Sequence, residues 1–177
     1  MHFTARIYFD LTTQGVFLFY GLLARAEEAG AVIDIEWRAF GTSGDSIDRT
    51  ALAATELVRV VAPDKHGRFV QALLAVSHIE GADMGDPASL NVAARVADVS
   101  LGVLSAERLA GEGAALLAAT ETEARALSVR GVPTLYRQGP VMMVRLVGKA
   151  DDVEALKRLR IINDVLNDDV LWELGKP

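Results

Sequence analysis

Apolar and polar residues alternate in two stretches near the start of the chain, and a mostly apolar stretch separates them. Every second position is apolar from Phe3 to Phe9 and again from Ile33 to Ala39, which is the period of a β-strand with one buried face. Cap-forming residues at 10–15 precede the apolar stretch from Val16 to Ala29, which ends at Gly30, and this pattern predicts a helix. Because a helix separates the two strands, we expect them to be parallel in one sheet.

From 46 to 127 the apolar residues follow helical spacing, with Gly, Pro and Asp at the interruptions. This pattern predicts an all-helical block, in which Pro87 after Asp86 is typical of a helix start. It also predicts a break in the last helix near 111–113. The predicted helices span Asp48–Val61, Lys65–Glu80, Pro87–Val99 and Ser105–Leu127.

The rest of the chain has the pattern of a hairpin followed by a helix. Thr134–Tyr136 and Val141–Val147 flank the turn-forming residues 138–140, which indicates two antiparallel strands. Asp151 and Asp152 then open a segment with apolar residues at helical spacing. The complete order of elements resembles an α/β thioredoxin fold with an inserted all-helical subdomain. We expect a single domain, with the thioredoxin core at 1–45 and 128–177 and the insertion at 46–127.

Several short motifs, placed in this order, resemble the DsbA-like thioredoxin family, including its branch of 2-hydroxychromene-2-carboxylate isomerases and kappa-class glutathione transferases. The most specific motif is Gly131-Val132-Pro133-Thr134, which resembles the family's cis-proline loop and lies between a helix and the hairpin. The resemblance covers nearly the whole chain. The other matching segments are Tyr8–Asp10, Arg68–Leu74, Glu80–Asp83, Ala124–Arg130 and Leu171–Leu174.

The resemblance implies a site where the first helix begins, but the chain departs from the family's pattern there. In the family, a strand ending in Phe-Asp leads into Cys-x-x-Cys or, in the isomerase branch, into a serine at the first cysteine position. Alignment on Phe9-Asp10 puts Thr13 and Val16 at the two cysteine positions. The chain contains no cysteine. Dithiol exchange, cysteine nucleophiles and thiolate metal sites are therefore excluded within it.

Two interpretations of Thr13 are open. Its hydroxyl, with the backbone N–H groups at the start of the helix and the backbone beside Pro133, can hold an anion or the thiolate of glutathione or a related thiol cofactor. Thr12, Gln14 and Val132 would line the same ligand site. Alternatively, Thr12 or Thr13 only caps the helix, and Pro133 only shapes its loop.

Arg130 and His78 extend this candidate site. Arg130 can pair with a ligand carboxylate, or it is a solvated loop residue. His78 can face the cleft between the insertion and the core, or it is an ordinary packed or surface residue. The histidines are not at a short metal-ligand spacing, and Asp83 and Asp86 lack the denser acidic loop of a Ca²⁺ site, so no metal site is predicted.

The apolar stretch 16–23 exceeds what one helix face needs. It indicates either a central helix buried on two sides or contact with a second copy of the chain or an apolar substrate.

Composition narrows the function classes. The 177 residues carry a formal net charge of −6, which offers no basic surface for nucleic acid. No apolar stretch is long enough to span a bilayer, and the first residues lack the pattern of a secretory signal. We therefore expect a cytoplasmic protein with neither a nucleic-acid nor a membrane partner.

These observations support three functional hypotheses, and the sequence does not decide whether the chain is an enzyme. The leading hypothesis is a DsbA-like protein without a redox-active C-x-x-C that binds a small molecule, a peptide or a protein partner in the cleft. The alternative is a thiol-dependent isomerase or transferase, in which glutathione or another low-molecular-weight thiol supplies the sulfur and Thr13 positions the thiolate. The third is a structural partner of another oxidoreductase.

Overall fold

In the residues that the structure describes, a mixed sheet and seven α-helices follow one another in the predicted order. The structure, a computed structural model, describes residues 1–41, 48–139, 141–146 and 151–167. The Leu171–Leu174 motif and the predicted strand residue Val147 lie outside these ranges. The elements are β1 His2–Phe9, α1 Gln14–Glu28, β2 Val32–Ala39, α2 Arg49–Val61, α3 Pro63–His78, α4 Pro87–Val96, a 3₁₀ turn Leu101–Leu104, α5 Ala106–Arg108, a π-helical turn Leu109–Gly113, α6 Ala114–Ala126, β3 Thr134–Tyr136, β4 Val141–Met143 and α7 Asp152–Asn167.

The four strands form one sheet in the order β2-β1-β3-β4. β1 and β2 are parallel along their whole length, from His2 opposite Val32 to Phe9 opposite Ala39. β3 is antiparallel to both β1 and β4. The predicted parallel pair and hairpin are both confirmed. β1 lies inside the sheet, between β2 and β3, and its apolar face lies in the main hydrophobic core.

Helix α1 is buried on more than one side. It packs against α3, α7 and β2, and its buried side chains include Val16, Phe19 and Leu23. The fully buried ring of Phe19 contributes about 1.5–3 kcal/mol relative to an exposed position. This packing agrees with the interpretation of the apolar stretch 16–23 as part of a central helix that is buried on two sides. Within the described ranges, no helix combines the length and apolar character needed to cross a membrane.

Four predicted helix boundaries were wrong by two or three residues. One is the end of α3, which lies at His78 instead of Glu80. Helix α1 begins at Gln14 instead of Val16. Helix α3 begins at Pro63 instead of Lys65, because proline fits the first turn of a helix, where its missing N–H is not needed. Helix α4 ends at Val96 instead of Val99, and the chain turns at Asp98, whose φ is +57°.

The break predicted near 111–113 is a π-helical turn that joins α5 to α6 without interrupting the helical path. Gly113 at its end packs directly on α2. A Cβ atom built on Gly113 would lie 3.1 Å from the carbonyl oxygen of Ala53. A side chain at this position would therefore push α6 away from α2.

A charged network, centred on Glu56 of α2, lies between the polar face of the sheet and the helices. Glu56 is fully buried and accepts hydrogen bonds from the Ala39 N–H at 2.8 Å, the Thr120 hydroxyl at 2.8 Å and the Arg59 Nε at 2.8 Å. The Arg38 Nε lies 3.8 Å from its Oε2. Positive groups thus balance the buried charge of Glu56.

Candidate functional site

The loop between β1 and α1 is organised by Asp10. This residue is 3% exposed. Its Oδ1 accepts the backbone N–H of Thr13 at 2.8 Å, and its Oδ2 accepts the Thr13 hydroxyl at 2.7 Å. The hydroxyl proton of Thr13 therefore points to Asp10, because a carboxylate is a stronger acceptor than a neutral group.

Thr13 occupies the N-cap position of α1, as the capping interpretation expects, but its side chain makes no hydrogen bond to the first turn. Thr12 and Gln14 are exposed at the same end of the helix. The first-turn N–H groups of α1 thus face the site without a side-chain cap from Thr13.

Two residues of the helical insertion hold the loop in place. The backbone N–H of Leu11 donates to the Oδ2 of Asp48 at 3.0 Å, and the Ser77 hydroxyl donates to the carbonyl oxygen of Leu11 at 2.8 Å. Asp48 immediately precedes α2, and Ser77 lies in the last turn of α3. The insertion therefore positions the loop at the start of α1.

Burial raises the pKa of Asp10 above its usual range. The hydrogen bonds from Thr13 oppose this rise, and the nearby carboxylate of Asp48 adds to it. Within the part of the chain that the structure describes, no ion pair involves Asp10. The site therefore contains a carboxyl group whose proton is easier to retain than that of a surface aspartate.

His78 lies next to this loop. Its ring is stacked on Phe17 of α1, with 4.8 Å between the ring centroids and 13° between the planes. Burial lowers the pKa of His78, while the backbone of Leu11 and the charge of Asp10 act in the opposite direction. Its Nε2 atom is buried and has no hydrogen-bond partner among the described residues. The structure thus brings His78 to the candidate site as a neutral ring.

The loop Gly131–Thr134 approaches the same end of α1. The Val132–Pro133 peptide bond is cis. A Cβ atom built on Gly15 would lie 3.5 Å from the Cδ of Pro133 and 3.7 Å from the Cγ2 of Thr13. Pro133 and Thr13 thus face each other across the bare backbone of Gly15.

The backbone of Val132 is open for pairing, although its neighbours are fixed. The hydroxyl of Thr134 donates to the Gly131 carbonyl oxygen at 2.6 Å, and the Val144 N–H donates to the Pro133 carbonyl oxygen at 3.0 Å. Across the described ranges, neither the N–H nor the C=O of Val132 takes part in a hydrogen bond. Val132 is only half-buried. Val132 therefore offers a backbone donor and acceptor that the described residues leave unused.

Arg130 directly precedes the loop Gly131–Thr134. It is exposed, and no hydrogen bond or ion pair connects it to the other described residues, so its pairing with a ligand carboxylate stays a prediction. Val16 is fully buried beneath the first turn of α1. Sequence reasoning missed the roles of Asp48 and Ser77. The start of α2 was predicted at Asp48, but nothing in the spacing indicated that its carboxylate reaches back to the first loop.

No family model matches the chain, and no curated protein matches it. Solved structures do match. The cytosolic disulfide reductase DsbM from Pseudomonas aeruginosa is 13% identical, with a TM-score of 0.64 over 98% of this chain and 100% of DsbM. DsbM solved with GSH is 14% identical, with a TM-score of 0.61 over 93% of this chain and 98% of DsbM.

Two further structures share the same architecture. DsbA from Klebsiella pneumoniae is 15% identical, with a TM-score of 0.64 over 93% of this chain and 88% of DsbA. ScsC from Proteus mirabilis is 18% identical, with a TM-score of 0.62 over 94% of this chain and 84% of ScsC. The chain therefore has the DsbA-like thioredoxin fold with its helical insertion, and it has this fold without cysteine.

Proposed function

We propose that this chain is a redox-inactive, DsbA-like binding protein that holds glutathione, or a similar low-molecular-weight thiol of peptide character, between the loop Gly131–Thr134 and the start of α1. The observation that carries the proposal is the open backbone of Val132 beside the first turn of α1. Dithiol exchange is excluded because the chain has no sulfur nucleophile.

The first step of recognition uses the backbone of the loop. Half-buried N–H and C=O groups are normally paired with protein, water or ligand. The two groups of Val132 can pair with an extended peptide in the manner of a short added strand. Glutathione is an extended tripeptide and supplies the complementary groups.

The second step uses the start of α1. The N-terminus of a helix carries a partial positive charge and N–H groups that favour an anion. Glutathione carries carboxylates and, when ionised, a thiolate. Thr13 and Gly15 at the rim are uncharged, and the carboxyl group of Asp10 behind Thr13 is only 3% exposed. The similarity to DsbM, a structure solved with GSH, supports this choice of ligand.

The alternative function, a thiol-dependent isomerase or transferase, requires the Thr13 hydroxyl to donate to the thiolate. In the structure this hydroxyl donates to Asp10. The alternative therefore requires a proton on Asp10, which would then donate to Thr13 and release the threonine proton towards the ligand. The raised pKa of Asp10 favours this arrangement.

The proposal places the protein in the cytoplasm, where small thiols are kept reduced. It is tested by titrating the full chain with reduced glutathione and measuring thermal stability and binding heat. At a hundred times its Kd, glutathione should stabilise the fold by about 2.7 kcal/mol. Ophthalmic acid, which replaces the thiol by a methyl group, should bind more weakly.

A matched pair of variants locates the binding. Gly15→Leu fills the space between Thr13 and Pro133 and should abolish glutathione binding. Gly21→Leu lies on the same helix, where a built Cβ has no neighbour within 4 Å, and should bind like the wild type. If the wild-type chain does not bind glutathione at millimolar concentration, or if both variants bind equally, the proposal fails.

A turnover assay separates the alternative function. The chain is incubated with glutathione and the electrophile 1-chloro-2,4-dinitrobenzene, and conjugate formation is followed. Under the binding proposal, the rate equals that of glutathione alone. If the wild type catalyses conjugation and Thr13→Val loses this activity while it still binds glutathione, the thiol-dependent enzyme hypothesis replaces the binding proposal.

A further inference from the structure

The helical insertion contains a cavity that is separate from the site at the start of α1. Its volume is about 460 Å³, within the range of about 300–1,000 Å³ typical of small-molecule sites. The residues 49–117 provide its entire lining, so neither α1 nor the loop Gly131–Thr134 contributes. The buried apolar residues of the wall are Ala53, Leu90, Leu104, Leu109 and Leu117.

The π-helical turn Leu109–Gly113 builds one wall of this cavity. Gly113 presses the end of the turn against Ala53 of α2, while Leu109 and Ala110 line the open space. A π turn sacrifices good helical hydrogen bonds and occurs often at functional sites. Small side chains at Ala106, Ala110 and Ala114 keep this wall shallow. The fold thus maintains the cavity through a specific irregularity of the backbone.

The polar residues of the lining are Arg49 and Thr50 of α2 and Asn91 of α4. Thr50 and Asn91 are exposed, so they lie where the cavity opens to solvent. Arg49 is the charged residue of the lining among those that the structure describes. Its guanidinium is held by Glu121 through contacts of 2.8 and 3.3 Å. Glu121 also pairs with Arg125 at 3.3 Å, so two guanidinium groups share this carboxylate. A cluster of this kind at the rim of an apolar cavity suits a further carboxylate from a ligand.

We infer that this cavity binds a small amphipathic carboxylic acid, whose apolar body fills the space between the leucines and whose carboxylate lies near Arg49. A medium-chain fatty acid has this chemistry. The apolar body contributes through the surface it removes from water, and the cation selects the acid over a neutral or positively charged head group. The site does not depend on glutathione, so the two proposals succeed or fail independently.

The experiment compares three probes that share one chain: decanoate, decanol and decylammonium, each kept below its micelle concentration. Binding to the full chain is measured by calorimetry and by thermal shift. Decanoate should bind saturably at one site, about tenfold more tightly than decanol, and decylammonium should bind more weakly than decanol. Absence of saturable decanoate binding, or equal affinity for decanoate and decanol, would overturn the inference.

Variants place the binding in the cavity. Ala110→Trp fills the space beside the π turn and should weaken decanoate binding by about tenfold or more. Ala119→Trp adds the same ring to an exposed position of α6 outside the lining and should bind like the wild type. Unchanged binding in Ala110→Trp contradicts the inference.

A second variant keeps the test decisive if Ala110→Trp does not fold. Asn91→Asp adds a negative charge at the exposed mouth. It should weaken the binding of decanoate and leave that of decanol unchanged, whereas Asn91→Leu should preserve the preference for the acid. If Asn91→Asp affects both probes equally or neither, the carboxylate does not lie at this mouth and the inference is wrong.

Discussion

Glu56 and Asp10 are both buried carboxyl groups, but their surroundings differ in charge. Glu56 lies beside the guanidinium groups of Arg38 and Arg59 and accepts further hydrogen bonds from neutral donors. Asp10 accepts hydrogen bonds from Thr13, and no ion pair in the described part of the chain includes it. The arginines around Glu56 balance its buried charge. The carboxyl group of Asp10 is stabilised only by hydrogen bonds from neutral groups.

This difference separates a structural cluster from a candidate site. The balanced network joins the sheet to α2 and α6. An unbalanced carboxyl at the start of a helix has a perturbed pKa, and such groups are concentrated at functional sites. The same substitution, carboxylate to amide, should therefore have opposite effects on stability at the two positions.

The largest effect is expected for Glu56→Gln. This change removes a buried negative charge and leaves the neighbouring arginines without their partner, which should lower the free energy of unfolding by about 3 kcal/mol or more. The measurement is urea unfolding at neutral pH. Glu36→Gln is the matched control, because Glu36 also pairs with Arg38 but its side chain is 44% exposed, and it should cost less than about 1 kcal/mol. If Glu56→Gln and Glu36→Gln lose equal amounts of stability, the buried network does not differ from a surface ion pair.

The second expectation concerns His66, which is buried near the same network. Burial lowers the pKa of His66 to about 4, the charges of Arg59 and Arg38 add to this shift, and Glu36 opposes it. In the unfolded chain the pKa is near 6.5, so the unfolded state binds more protons between these values. Stability should therefore fall as pH falls through this window, by about 3 kcal/mol in total.

The variant His66→Phe tests this pH dependence. It removes the titrating ring and the Nε2 atom, which has no hydrogen-bond partner among the described residues. Urea unfolding at several pH values should show that the variant loses much of the slope between pH 4 and 6.5. Above this window, the stabilities of the two proteins should run parallel. If the stability of His66→Phe falls with pH as steeply as that of the wild type, the acid sensitivity comes from the carboxylates instead.

The third expectation is that Asp10→Asn stabilises the fold at neutral pH by about 0.5–2 kcal/mol, because the amide removes a buried charge that has no ion-pair partner among the described residues. The asparagine carbonyl still accepts the Thr13 N–H, and its amide can donate to the Thr13 hydroxyl. Because the folded-state pKa of Asp10 is raised, the wild type gains stability relative to the variant as pH falls through that pKa. The advantage of the variant should therefore shrink in acid.

A loss of stability in Asp10→Asn at neutral pH would contradict the comparison with Glu56. The same variant also bears on the enzyme alternative. With an amide at this position, the Thr13 proton is free to point at a ligand thiolate. Thiol-dependent turnover that appears in Asp10→Asn and is absent from the wild type would show that the Asp10 charge suppresses this chemistry.

The sheet and the main helices could be predicted from local patterns, but the partners of the site residues could not. Alternation from Phe3 to Phe9 reflects one buried face, and this requirement is visible in the sequence. The choice of Thr13 between the helix N–H groups and Asp10 depends on a small difference between two hydrogen bonds. Likewise, the contact of Asp48 with Leu11 joins residues far apart in the chain, and no local period records it.

The cavity in the insertion illustrates the same limit. Sequence spacing indicated an irregularity near Gly111–Gly113, but it suggested a break. Whether two glycines separated by one residue interrupt a helix or form a π turn depends on the packing of α6 against Ala53. The close packing is possible because Gly113 has no side chain. The sequence shows the glycine, but only the folded structure shows that Ala53 lies against it.

The smallest effect on stability is expected from Gly15→Ala, and it sharpens the contrast between the filled network and the open site. Alanine favours a helix over glycine by up to about 1 kcal/mol. The new methyl group would make ordinary contacts at 3.5 Å with Pro133 and 3.7 Å with Thr13, so no strain offsets the gain. Gly21→Ala on the same helix has open space and should be stabilised similarly in thermal unfolding.

The two alanine variants should differ only in ligand binding. The methyl group of Gly15→Ala narrows the gap through which glutathione would reach the first turn of α1, so its Kd should rise by a few-fold, whereas Gly21→Ala should retain the wild-type Kd. Calorimetric titration of both variants measures this difference. If Gly15→Ala is stabilised and binds glutathione as the wild type does, the ligand does not pass between Thr13 and Pro133. The open start of α1 would then be a feature of the fold alone, like the network around Glu56.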